Sequence, residues 1–117
     1  MASSTNTAET RDALRDLHRA LIGAARAQYE REYGAVGGPA ELLRLLSEDA
    51  FFEWLRPLSR MIVEFDSEQT VSRAAVEALL RPSSSFGQRY SAVLQVDPQV
   101  AGSHARLRGA LKRLEMN

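Results

Sequence analysis

The sequence predicts an all-α fold: a single-domain helical bundle of five to six helices, with a long first helix and a central helix kinked at Pro57. Three observations carry this. Apolar residues recur at steps of three and four through most of the chain, which is the period of one helix face. Helix-capping residues stand at the start of successive apolar stripes, at Asn6, Asp49, Ser85 and Asp97. No segment alternates with period two, and the threonines lie outside the apolar runs, so strand signals are missing.

The first helix is expected to start near Asn6 or Thr7, where Asn6 and Glu9 have capping-box spacing, after a frayed tail of residues 1–6. Leu14, Leu17, Leu21, Ala24, Ala25 and Tyr29 form its stripe, and Gly34 offers a left-handed stop. Pro39 then suits a first helical turn, and Leu42, Leu43, Leu45 and Leu46 predict a short helix hidden on most sides. Ser47 or Asp49 caps the third helix, Ala50 to Phe65, which carries the strongest pattern. There Phe51, Leu55, Leu58, Ile62 and Phe65 step by four and three, while Phe52, Trp54, Met61 and Val63 widen the stripe. The apolar arc spans roughly 200°, wider than a surface helix needs. Because the stripe keeps phase across Pro57, the expectation is one bent helix.

Asp66 or Ser67 is expected to cap a fourth helix with Val71, Ala75, Val76, Leu79 and Leu80, ended by Arg81-Pro82. Ser85-Phe-Gly-Gln88 reads as a capping box for a fifth helix containing Phe86, Tyr90, Val93 and Leu94. Asp97-Pro98 starts a sixth, in which Val100, His104, Leu107, Leu111 and Leu114 run to the end. The first and last helices are expected to pair antiparallel. Residues 7–117 thus form one domain.

Composition bounds the chemistry. A chain of 117 residues with 44% hydrophobic side chains makes one core without staples. Without cysteine there is no disulfide, thiolate nucleophile or thiolate-ligated metal. The N-terminus has neither a basic region nor an apolar core of a signal peptide, and no apolar run reaches membrane-spanning length. A soluble protein with no membrane partner is expected. Seventeen alanines, and a single lysine (Lys112) among fifteen cationic residues, suggest a bacterial cytoplasm.

His18, flanked by Leu14 and Ile22, and His104, in the stripe of the last helix, both point toward apolar faces. Two inward imidazoles in a bundle suit axial ligation of a haem, so a haem-type cofactor held by His18 and/or His104 is one functional expectation. No Glu-x-x-His occurs, which excludes a di-iron carboxylate site and leaves no metal site to nominate. No nucleophile–base pair is apparent from spacing, so no catalytic residue is assigned and the chain reads as a non-enzyme. Gly34-Ala-Val-Gly-Gly38 precedes a helix but lacks the Lys-Ser/Thr ending of a phosphate loop. Arg11, Arg15 and Arg19 form a row at spacing four, interleaved by Asp12 and Asp16.

Ser67-Glu-Gln-Thr-Val-Ser-Arg73 resembles the start of the recognition helix in lac-repressor-type helix-turn-helix domains. The resemblance implies Gln69, Ser72 and Arg73 near base edges in a DNA-binding regulator. The chain departs from that pattern at Phe65, where the tight turn requires glycine, and at Met61, where close packing requires a small residue. Residues 41–77 hold eight acidic and four basic side chains, which repels phosphate, so a nucleic-acid partner is not expected.

The leading expectation is a protein–protein interaction or homo-oligomerisation module, a homodimer. Its interface or pocket residues would be Phe51, Phe52, Trp54, Leu55, Leu58, Met61 and Ile62 on the third helix. Charge placement motivates the pairing. Residues 78–117 hold six basic and two acidic side chains, opposite in sign to the acidic middle, while residues 1–40 carry five of each.

Overall fold

In a computed structural model, which describes residues 4–115, the chain is all-helical. Six α-helices follow in order: α1 (Ser4–Tyr33), α2 (Pro39–Glu48), α3 (Arg56–Glu68), α4 (Arg73–Leu80), α5 (Ser85–Val96) and α6 (Pro98–Glu115). A 3-10 segment, Ala50–Leu55, leads into α3, and no strand occurs among the described residues. None of the helices is long and apolar enough to cross a membrane.

The 30-residue α1 sets the shape of the molecule. At 1.5 Å per residue it runs about 45 Å, nearly the whole long axis of 48 Å. It begins at Ser4, earlier than expected: residues 4–6 of the expected tail form its first turn, and residues 1–3 lie outside the described residues. Asn6 is therefore not a cap. Its side-chain amide donates to the Arg113 carbonyl in the last turn of α6, 3.2 Å away, where carbonyls have no intrahelical donor. Arg113 pairs with Glu9, and Arg106 with Asp16, so α1 and α6 run antiparallel. Ala13, Leu14, Leu17 and Leu21 on α1, with Val100, Leu107, Ala110 and Leu111 on α6, belong to one continuous core. Each buried leucine contributes about 1.5–3 kcal/mol.

The third stripe forms differently from a kinked α-helix. Residues 50–55 are wound as 3-10 helix, with the Asp49 carboxylate accepting from Phe51 N–H at 2.9 Å. The α-helix begins only at Arg56, so Pro57 occupies its first turn. The bend is a junction between two helical windings, and proline sits where its missing N–H is not needed. Phe52, Leu55, Leu58 and Phe65 then face the core in phase.

Other boundaries also move. α3 continues through Asp66 and Ser67 and ends at Gln69, which is left-handed at φ 58°. Ser72 caps α4, accepting from Ala75 N–H at 3.1 Å. The cap of α5 is Ser84, not Ser85, accepting from Gly87 N–H at 2.8 Å. Asp97 caps α6 through Gln99 and Val100, as expected. α2 is more exposed than its four leucines predict: only Leu45 is buried, and Leu43 is 64% exposed.

Candidate functional site

Most of the nominated aromatic face is core. Phe52, Leu55 and Leu58 are buried, so no partner can reach them. Trp54 is covered by Phe86, with ring centroids 5.6 Å apart, and by the Arg89 guanidinium over its ring at 5.1 Å. Met61 and Ile62 are half-buried against the core. Phe51 alone among the three phenylalanine and tryptophan positions 51, 52 and 54 faces an open groove.

That groove holds about 540 Å³ between the end of α1 and the 3-10 segment, lined by Tyr29, Tyr33, Asp49, Ala50 and Phe51. Tyr29 lies 4.9 Å from Tyr33 and 5.4 Å from Phe51, centroid to centroid, and the Tyr33–Phe51 pair is edge-on. These aromatic contacts pre-form the site. Gly34, at φ 96°, ends α1 immediately after Tyr33 in a conformation that a side chain would strain. The following loop is tied down by its own carboxylates. Glu30 accepts from Val36 N–H at 2.9 Å, and Glu41 from Gly37 N–H at 3.0 Å. The amides that a phosphate loop would offer to a ligand are thereby occupied. Tyr33 remains 66% exposed despite its neighbours. Sequence reading missed it because Tyr29 and Tyr33, four apart, resemble the continuation of the core stripe.

The histidines do not share a site. The register of α1 against α6 puts His18 level with His104, since Asp16 pairs with Arg106 two residues away on each helix. They turn to different helices, however. His18 Nε2 lies 2.7 Å from Ser59 Oγ on α3, and His104 Nδ1 lies 2.6 Å from the Tyr90 hydroxyl on α5. Burial holds both imidazoles below the ordinary histidine range, with Arg108 adding to the effect at His104. Burial likewise pushes the Tyr90 phenol up. The ring nitrogen of His18 that faces α3 is taken by serine. His104 lines a groove whose walls include Glu77, Arg81 and Arg108, a charged setting unlike the apolar slot a porphyrin needs. The haem reading loses its geometric basis.

His18 and Ser59 form a serine–histidine hydrogen bond, and sequence spacing had not paired them. The Ser59 hydroxyl donates weakly to Leu55 O at the end of the 3-10 segment, 3.4 Å away. No carboxylate hydrogen-bonds the other nitrogen of His18 among the described residues, so the orienting member of a catalytic triad is missing. The contact joins α1 to α3.

The remaining motifs are absorbed by the fold. Ser67–Arg73 straddles the end of α3, the left-handed Gln69 and the cap of α4, so it is not the start of a recognition helix. The arginine row on α1 is paired throughout: Arg15 with Asp12 and Asp66, Arg19 with Asp16, and Arg11 with Asp66 at 3.9 Å. The acidic middle and basic end therefore meet partly inside one molecule, with α1 supplying countercharges to both. No group of three or more histidine, aspartate or glutamate side chains suited to a metal ion occurs among the described residues. No family model, curated protein or solved structure matches the chain.

Proposed function

We propose that this protein works by binding and not by catalysis, as an interaction module whose first partner is a second copy of itself. The supporting observation is the aromatic groove of Tyr29, Tyr33 and Phe51, in which Tyr33 is about two-thirds exposed, as is Leu43 on α2. Isolated exposed side chains need no explanation, whereas an aromatic groove with an exposed tyrosine in its wall fits an interface core. A two-fold interface must be self-complementary. The residues flanking this groove in sequence carry both signs, Arg31, Arg44 and Arg56 among Glu30, Glu32, Glu41, Glu48, Asp49 and Glu53. Two pairs among them, Arg44–Glu48 and Arg56–Glu53, already lie within ion-pair distance. The composition favours a bacterial cytoplasm as the setting.

The test is the concentration dependence of mass by light scattering for the native chain and for a Tyr33→Glu, Leu43→Glu double variant. The native chain is expected to approach twice its 13.0 kDa mass, and the variant to stay monomeric with an unchanged helical spectrum. Equal behaviour of the two would remove this face from the reading.

A further inference from the structure

Beyond self-association, we propose that the groove between α4 and α6 is a binding site for a phosphate-class anion, held by Arg81, Arg108, Lys112 and His104. The argument begins with spacing. His104, Arg108 and Lys112 stand four apart on α6 and so share one face. Like charges at that spacing destabilise a helix by a few tenths of a kcal/mol. Glu77 on α4 is the carboxylate in reach, 3.6 Å from Arg108, and it is already held by Arg73 at 3.0 Å.

The surface there is concave. Glu77, Leu80, Arg81, Pro82, His104 and Arg108 enclose about 340 Å³. A second hollow of about 280 Å³, lined by Arg73, Arg108, Gly109 and Lys112, adjoins it through Arg108. Arg81 and Arg108 thus stand with Glu77 and His104 around the first hollow, and Arg73, Arg108 and Lys112 around the second. Glu77 is held below the usual carboxylate range, first by its hydrogen bond from Arg73 and then by Arg108 and Arg81, which reports the positive field of the groove. Two guanidinium forks, Arg81 just past the end of α4 and Arg108 on α6, suit the oxygens of a tetrahedral anion.

His104 supplies a neutral donor. The buried Tyr90 hydroxyl needs an acceptor, and His104 Nδ1 at 2.6 Å is its partner. With the phenol as donor, Nδ1 carries no hydrogen and Nε2 does. In this tautomer the imidazole can donate to an anion without first being charged.

The experiment titrates the full chain with inorganic phosphate, phosphoserine and acetate at constant ionic strength, following the His104 ring protons by NMR. Phosphate is expected to give a saturable shift. Binding should weaken about tenfold in Arg81→Gln and in Arg108→Gln, remain unchanged in Arg19→Gln, and tighten in Glu77→Gln, where the competing carboxylate is gone. Phosphoserine bound as tightly as phosphate would support the site with an esterified group as its source, and phosphate alone would support it for the free anion. A shift that never saturates, acetate binding as tightly as phosphate, or affinity unaltered in the Arg81 and Arg108 variants would overturn the proposal.

Discussion

Gly87 is buried in the first turn of α5, where a Cβ would overlap the Arg81 carbonyl oxygen at the end of α4. Backbone cannot yield as a flexible side chain can, so Gly87→Ala is expected to cost about 3 kcal/mol in chemical denaturation. A loss below 1 kcal/mol, the ordinary surface value, would contradict this packing. The same residue explains a misplaced boundary. With three serines in succession, Ser85-x-x-Gln88 looks like the better capping box. Ser84 wins because glycine three residues later permits the close approach of α4. The histidines were legible as inward-facing, but not their partners, since Ser59 and Tyr90 lie 41 and 14 residues away in sequence. Both imidazoles are held below the ordinary range by burial, so the unfolded chain binds protons more readily than the folded one. Stability is therefore full above the unfolded histidine pKa of about 6.5 and falls as pH drops below it. Melting temperature should decline on acidification through that window, and a His18→Gln, His104→Gln variant should flatten the decline. An unchanged slope in the double variant would rule out the histidines as its source.

Among the elements, number and order were readable from periodicity and caps, whereas the winding of the third stripe was not. A period of four and three cannot separate a kinked α-helix from a 3-10 segment joined to one, because both keep the apolar face in phase over so few residues. The structure puts Pro57 in a first turn. Pro57→Ala should then change stability by less than about 1 kcal/mol. Relief of about 3 kcal/mol would indicate an interior proline instead. α2 marks the opposite limit. Four leucines promised a hidden helix, yet tertiary contact covers it mainly from the 3-10 segment, and Leu45 is its one buried anchor. Leu45→Ala is expected to strip amide-exchange protection from α2 while amides near Leu17 on α1 retain theirs. Loss of protection everywhere at once would show α2 to be integral to the core.

At the level of the whole molecule, α1 is the spine against which both the acidic middle and the basic end are neutralised, through Asp66 and through Arg106 and Arg113. The antiparallel pairing of α1 and α6 was visible in their matching stripes. The fate of the charges was not, because net charge per segment says nothing about which segments touch. The surface proposed for a partner is the apolar groove of Tyr29, Tyr33 and Phe51. An interface of that kind differs measurably from one driven by opposite charge blocks, since screening weakens the latter strongly. Sedimentation equilibrium of the native chain at low and high salt separates them. A dimer whose affinity barely changes with salt is the predicted result; a monomer at every accessible concentration, or a dimer that salt dissolves, would contradict the account.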